Sequence, residues 1–463
     1  MKMPRLLIAA PKSGSGKTVL TCALLQVWKE EKKNPIAFKC GPDYIDPMFH
    51  ERVIEIPSDN LDSFFYDDNE IRTLFCEKYQ REQAEIAVIE GVMGLYDGLG
   101  GIQEKGSAYH IASIIKAPII LVVDAHGMGR SILPLLAGYL QYDYEHLIKG
   151  VILNQTTKSF YETIRPIIEK ELPIEVVGFL PKKKEMMLES RHLGLKLPQE
   201  IAKLQEKLKN TAKEARESIH LQKLYEIAER AEELPLYIKE ETVIKQTVKI
   251  GVAMDEAFCF YYEQNLQLLK EYGAEIVPFS PLHDKKLPKG ICGLLLGGGY
   301  PELRARELSE NETMKADIRE KLKTGIPSLA ECGGFMYLHQ SICCEDKKSY
   351  PMVGAIPGAV NYKGKLIRFG YVEIAEKEAV FLSEGETIKG HEFHYFDSEN
   401  NGSGCMAVKP ATGKKWECVH CTDEHFWGFP HLAYLSNPGF VQHFMEKAKN
   451  YQKKNRFDIE LLS

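Results

Sequence analysis

LLIAAPKSGSGKTVLTCALLQVW, residues 6–28, decides the first half of the fold. Leu6–Ala10 is a short uninterrupted apolar run, the pattern of a strand buried on both faces. Val19–Trp28 is a helical run. Between them, Pro11-Lys12-Ser13-Gly14-Ser15-Gly16-Lys17-Thr18 forms a glycine-rich turn that ends at the helix N-terminus. Strand, turn and helix start together make an anion site, because backbone N–H groups converge there and the helix dipole favours negative charge. In that arrangement Lys17 reaches the terminal phosphates of a nucleotide and the Thr18 hydroxyl ligates Mg2+. The expected ATP-binding residues are Lys12, Gly14, Gly16, Lys17 and Thr18. The standard motif carries Gly where this chain has Pro11, so the loop is a variant.

Outward from this motif the same texture repeats. Ile36–Lys39, Ile86–Ile89, Ile119–Val123, Val151–Leu153 and Glu175–Phe179 are short β-branched runs, each followed by a loop and a helix-like pattern. Such alternation predicts a parallel sheet covered on both faces. From Pro198 to Leu234, Leu204, Leu208, Leu221 and Leu224 recur at helical spacing among Lys, Glu, Gln and Ala, which reads as amphipathic helices. Pro235–Gln246 reads as a connector. A second alternating series follows in Val248–Met254, Ala274–Pro278, Gly293–Leu296 and Pro327–Ala330. The fold class is therefore α/β with two domains: a phosphate-loop domain over 1–235, a linker over 236–247, a second α/β domain over 248–450 and a tail over 451–463.

Two acidic clusters follow strand ends, where ligands bind in open α/β sheets. Gly41-Pro42-Asp43-Tyr44-Ile45-Asp46-Pro47 comes after Ile36–Lys39, and Glu90-Gly91-Val92-Met93-Gly94-Leu95-Tyr96-Asp97-Gly98 after Ile86–Ile89. A carboxylate at a strand tip beside a phosphate loop is placed to hold Mg2+, and Glu90 is the candidate. Asp43, Asp46 and Asp97 are open to three roles: a second metal, substrate positioning, or capping of turns.

The chain of 463 residues has a formal charge of −6, which argues against nucleic acid as the main partner. No apolar stretch has the length to cross a bilayer, so no membrane role is expected. The start runs into a strand-like segment instead of a signal-peptide core, and the reading is cytoplasmic. Eleven cysteines are then reduced thiols, not a disulfide framework.

In the second domain Pro327–Ala330 ends in Glu331-Cys332-Gly333-Gly334, followed by the helix-like Phe335–Gln340. A nucleophile between small residues at a strand-to-helix turn is an elbow. The helix N-terminus is expected to lower the thiol pKa, and the Gly333 N–H to face a developing oxyanion. Gly297-Gly298-Gly299, after Leu294–Leu296, is a source for the second oxyanion donor, assigned to Gly299. A cysteine nucleophile needs a base, and the late histidines are His391, His394, His420, His425 and His431.

These pieces resemble the cobyrinic acid a,c-diamide synthases over nearly the whole chain. The segments that carry the likeness are GPDYIDPMFH at 41–50, IEGVMGLYDG at 89–98, SRHLGL at 190–195, DEAFCFYYEQNLQLL at 255–269, GGYPE at 298–302, AECGGFMYL at 330–338 and GHEFHY at 390–395. The early Lys12 also marks a deviant group of phosphate-loop proteins that includes dethiobiotin synthetase and MinD-like ATPases. The resemblance implies a dethiobiotin-synthetase-like ATP domain joined to a flavodoxin-like class I glutamine amidotransferase domain. It implies that ATP turns a substrate carboxylate into an acyl phosphate, with Asp43, Tyr44, Asp46 and Asp97 on the substrate and acyl-phosphate side. Cys332 would attack L-glutamine and release ammonia, which displaces the phosphate. The cycle would run on the c and a acetates of cobyrinate, a corrin of cobalamin biosynthesis. Relatives with these motifs act on hydrogenobyrinate or nickel-sirohydrochlorin, and a homodimer is left open. A MinD-like regulatory ATPase is the remote alternative, one in which the elbow would be idle.

By the same resemblance the base is His431, in Pro430-His431-Leu432-Ala433-Tyr434-Leu435-Ser436-Asn437-Pro438. Two departures stand out. Ala433 occupies the offset at which class I amidotransferases carry a carboxylate that orients the base, which leaves the orienting partner of His431 unassigned and raises the reading of a decayed glutaminase. Lys389 stands where the family often has arginine, which weakens a bidentate anion contact. His391-Glu392-Phe393-His394 lacks the four-residue histidine spacing of a zinc helix, and the zinc reading is set aside there and at Cys418-Val419-His420-Cys421. Asn154, after Val151–Leu153, is a candidate contact for the nucleotide base.

Overall fold

Strand β1 (Arg5–Ala9) occupies the middle of a seven-stranded sheet in the computed structural model of the chain. Residues 2–183, 198–235 and 246–462 are described, with 198–201 and 455–462 as backbone alone. The SRHLGL segment at 190–195 and most of the expected linker lie outside the described residues. Two compact units divide the chain, Met1–Lys239 and Glu240–Ser463.

In the first unit β2 (Pro35–Cys40), β3 (Ser58–Leu61), β4 (Ile86–Glu90), β5 (Ile119–Asp124), β6 (Ile148–Asn154) and β7 (Glu175–Leu180) join β1 in the order β3-β2-β4-β1-β5-β6-β7. Every neighbouring pair is parallel. The strand order reverses around β1, so the carboxyl ends of β1, β2 and β4 open onto one crevice. Six strands follow from apolar runs in the sequence. The seventh, β3, reads Ser-Asp-Asn-Leu and is nonetheless buried, because its polar groups are satisfied: Asn60 Nδ2 donates to the carbonyls of Gly41 (2.9 Å) and Asp43 (2.8 Å). The predicted amphipathic helices are Pro198–Ser218 and Leu221–Glu229, and their buried Leu204, Leu208 and Leu224 share a core with Leu20, Leu24 and Val27 of the helix Lys17–Glu30. Each such side chain contributes about 1.5–3 kcal/mol by leaving water.

The second unit is built on β8 (Val248–Ala253), β9 (Ala274–Phe279), β10 (Gly293–Leu296) and β11 (Ser328–Glu331), as the sequence predicts. Strands His425–Gly428 and His420–Cys421 extend this sheet beyond β11. Two further sheets have no counterpart in the sequence reading. One has four strands and includes His339–Cys343 and Ile356–Tyr362. The other has five, including Arg368–Glu376, Ile388–His394 and His431–Leu432. Their strands are half exposed, so hydrophobic runs do not announce them. The last helix, Pro438–Leu462, runs through residue 451, where a separate tail was expected.

Candidate functional site

The phosphate loop has the backbone that its sequence demands. Gly14 and Gly16 both take positive φ, +76° and +97°, and Gly16 caps the helix Lys17–Glu30. A Cβ at Gly16 would lie 2.1 Å from Asn154 Nδ2. The Asn154 amide is engaged at both ends, donating to the Ser15 carbonyl at 2.7 Å and accepting the Gln155 N–H at 2.9 Å. Asn154 thus braces the loop from the end of β6. Lys17 is buried and donates to the carbonyls of Lys12 and Met93, while the Lys12 side chain is exposed. Burial, and then the neighbouring Lys39, lower the Lys17 pKa.

Below the loop lies a buried ionic cluster whose centre is a residue that sequence reasoning missed. Lys39, at the end of β2, is 4% exposed and pairs with Asp46 Oδ2 at 2.6 Å and Glu90 Oε1 at 2.8 Å. The Thr18 hydroxyl donates to the same Glu90 oxygen at 2.5 Å. Burial opposes the charge on Lys39, but Glu90 and Asp46 outweigh it and raise its pKa. Burial likewise opposes ionisation of Asp46, and Lys39 overrides that and lowers it. Glu90 is pushed up to about 7 by burial and by Asp46. The signal available in the sequence was a lysine closing an otherwise apolar strand.

The remaining acids cap turns. Asp43 accepts the Ile45 N–H at 2.7 Å, and burial and Asp46 raise its pKa. Asp97 accepts the Gly94 N–H at 2.9 Å, in a loop tied to the phosphate loop by the Leu95 N–H on the Ala10 carbonyl. Tyr44 is buried between Asp43 and Asp46 in the sequence.

Cys332 sits at φ +44°, ψ −102°, between β11 and the helix Gly333–Leu338. A non-glycine residue held in this region stores about 1–3 kcal/mol of strain, the signature of a nucleophile elbow. The strain is imposed from three sides. The Cys332 N–H is tied to the Gly428 carbonyl, the Gly334 N–H to the Gly297 carbonyl and the Met336 N–H to the Cys332 carbonyl, all at 2.9 Å. A Cβ at Gly334 would lie 2.0 Å from the Leu296 carbonyl oxygen, so the turn admits no side chain there. Gly333 packs against the glycine loop, where a Cβ would stand 3.1 Å from the Gly299 nitrogen. The expected fall in thiol pKa is not what this environment produces. Burial, then Glu302, push the thiol up, and the Gly333 N–H opposes them only in part. Six residues of helix are too little to offset burial beside carboxyls.

His431 reaches the same glycine loop. Its ring lies against Gly298, where a Cβ would be 2.2 Å from its Cε1. The Cys332 turn and the His431 ring thus both contact one loop, Gly297–Gly299. His431 is 2% exposed, and burial, then His391 and His394, depress its pKa. Its segment is held by residues that the sequence reading did not single out. Glu331 accepts from the Tyr434 hydroxyl at 2.8 Å and the Leu432 N–H at 3.4 Å. Asn265 donates to the Leu432 carbonyl at 2.7 Å and accepts the Tyr434 N–H at 2.8 Å. Ala433 is buried and bonds through its backbone to the Lys389 carbonyl at 2.9 Å. Of the other late histidines, His394 donates to the Phe396 carbonyl (2.6 Å), His420 to the Asn400 carbonyl (3.0 Å), and His425 contacts the Ser328 hydroxyl (3.0 Å).

Comparison with known proteins agrees with this division. Residues 6–195 match the family model of the CobQ/CobB/MinD/ParA nucleotide binding domain, and residues 249–428 that of the CobB/CobQ-like glutamine amidotransferase domain. The chain is 40% identical over 454 residues to a cobyrinate a,c-diamide synthase of Caldanaerobacter subterraneus subsp. tengcongensis, covering 97% of this chain and 99% of that one. It is 38% identical to the protein of that name from Priestia megaterium (98% and 99% covered). Against the one from Thermoplasma volcanium it is 36% identical (98% and 99% covered).

Proposed function

The chain belongs to the cobyrinate a,c-diamide synthase family, and we propose that it amidates the a- and c-acetate carboxylates of cobyrinate through acyl phosphates, with nitrogen taken from glutamine. It is a glutamine-dependent ligase of cobalamin biosynthesis. ATP is its co-substrate.

A carboxylate is a poor electrophile, and phosphorylation gives it a leaving group. In the first unit Lys12, Gly14, Gly16, Lys17 and Thr18 bind the nucleotide. Mg2+ fits the donors present there: the Thr18 hydroxyl and the Glu90 carboxylate are hard oxygens, and Glu90 Oε2 is buried without a hydrogen-bond donor among the described residues. Thr18 and Glu90 would hold Mg2+ there, where it would neutralise phosphate charge. Lys39 offsets the cluster of acids, and Asp43, Tyr44, Asp46 and Asp97 are assigned to the side of the acid to be activated.

In the second unit the Cys332 thiol gives its proton to His431 as sulfur attacks the side-chain amide of glutamine. The N–H groups of Gly333 and Gly299 receive the oxyanion. The proton leaves with ammonia, water hydrolyses the thioester, and ammonia displaces phosphate from the activated acid. The observation that carries this reading is the convergence of the strained Cys332 and of His431 on one glycine loop. Cytoplasmic residence and the absence of nucleic acid and membrane partners complete the proposal. The charge of −6 supports the absence of a nucleic-acid partner, and among the described residues no helix is long and apolar enough to cross a membrane.

The test is amidation of cobyrinate by Cys332→Ala with glutamine or with ammonium chloride as nitrogen source. Loss with glutamine and retention with ammonia are expected. Equal use of glutamine by variant and parent would remove Cys332 from the mechanism. Turnover of hydrogenobyrinate or nickel-sirohydrochlorin in place of cobyrinate would change the substrate and leave the chemistry.

A further inference from the structure

A general base is only as good as the orientation of its ring, and Ala433 offers nothing to hold the imidazole of His431. The fold presents a different partner. Strands Ile388–His394 and His431–Leu432 pair antiparallel, with His391 directly opposite His431 and Gly390 opposite Leu432. A Cβ at Gly390 would lie 2.5 Å from the His431 carbonyl oxygen, so the two backbones approach closely at this point. On that footing the imidazoles of His391 and His431 stack face to face, with centroids 4.9 Å apart and planes at 17°. The His391 ring is itself fixed, by burial and by the Tyr262 hydroxyl 3.1 Å from its Nδ1. The opposite constraint on His431 is the Gly298 backbone at its Cε1 edge.

We propose that His391 is the positioning residue of the catalytic base, its ring face holding the His431 imidazole in the orientation that accepts the Cys332 proton. This rests on the reading of Cys332 and His431 as nucleophile and base. An aromatic face does here what a carboxylate does by hydrogen bonding. It limits ring rotation. Burial drives His391 down to about 3, so the face it presents is uncharged.

The test compares His391→Phe, His391→Leu and His391→Ala in the full chain, by glutaminase kcat and by KM for glutamine. Phenylalanine keeps the face, leucine keeps volume without it, and alanine removes both. The expected result is a kcat within about 5-fold of the parent for Phe and a fall of about 100-fold for Leu and Ala, the scale of a misplaced catalytic group. KM should stay within about 2-fold throughout. Leu as active as Phe, or Ala as active as the parent, overturns the proposal, and so does a Phe variant as inactive as Ala. Cys332→Ala is assayed alongside. If it still hydrolyses glutamine, the nucleophile assignment itself has failed. If it is inactive while the His391 variants are not, only the positioning role has.

Discussion

Replacing Glu331 by Gln should change how stability depends on pH before it changes much else. Glu331 is 6% exposed, and burial raises its pKa from 4.5 to about 8, against the opposing pull of the Tyr434 hydroxyl and the Leu432 N–H. An acid whose folded pKa lies above its free value binds its proton more tightly when folded. Its contribution is therefore complete below about 4.5 and declines until the pH passes about 8. At about 1.4 kcal/mol per pH unit the whole span amounts to about 5 kcal/mol. Between pH 6 and pH 8 the slope alone predicts a loss of about 2–3 kcal/mol. Glutamine does not titrate, and its carbonyl still accepts from Tyr434, so the variant should lose none of this. The assay is urea unfolding of parent and variant at both pH values. It is followed by tryptophan fluorescence, since Trp416 and Trp427 lie in the second unit and Trp28 in the first. The stability difference should move in favour of the variant by about 2–3 kcal/mol as the pH rises from 6 to 8. A difference that stays constant would mean that Glu331 is ionised in the folded protein and that its burial has been misjudged.

Lys39→Met leaves Asp46 and Glu90 buried without their cation, so it should cost about 3–5 kcal/mol and abolish ATP-dependent phosphate release. Adding Asp46→Asn should recover part of the stability, read by thermal unfolding, and none of the phosphate release. Gly298→Ala sets a methyl 2.2 Å from His431 Cε1, and glutaminase kcat should drop about 100-fold while Cys332 is still alkylated by iodoacetamide. Because burial and Glu302 push the Cys332 thiol up, alkylation of the parent should be slow at pH 7 and accelerate with added base. A rate already at its plateau at pH 7 would contradict the uncharged thiol.

What the sequence made legible was what lies close together along it. The phosphate loop and the elbow are each a strand, a turn and a helix start within a dozen or so residues, and hydrophobic runs mark the strands that bear them. Strand β3 escaped because its stability comes from Asn60 bridging two carbonyls and not from apolar side chains. The five-stranded sheet escaped because strands such as Arg368–Glu376 bury only Val372 and Ile374, leaving no run to read. The site contacts that escaped join residues far apart in the chain. Lys39 meets Glu90, Asn265 meets Leu432 and Tyr434, and His391 meets His431, each through tertiary pairing that no local motif records. Glu331 was quoted beside the nucleophile, yet its role depends on Tyr434.

The two centres differ in how they handle buried charge, and the difference follows from their chemistry. Around the phosphate loop one buried ion pair is kept, Lys39 with Asp46, each holding the other charged, while Glu90 beside them is pushed up to about 7. A site that receives a polyanion and its counter-ion needs permanent charges in fixed places. Around Cys332 the charges are suppressed. Burial pushes Glu302 up to about 7 and Glu331 to about 8, raises the thiol and depresses both His391 and His431. At rest that pocket is close to neutral, so the thiolate and imidazolium must be created together when the proton crosses. Forming an ion pair in a buried site is costly unless fixed groups meet each charge. The oxyanion donors meet the negative one once glutamine is attacked, while the stacked ring of His391 keeps the imidazole in place. Alanine at position 433 is therefore consistent with a working base, in a pocket where a stacked ring and not a carboxylate orients the imidazole.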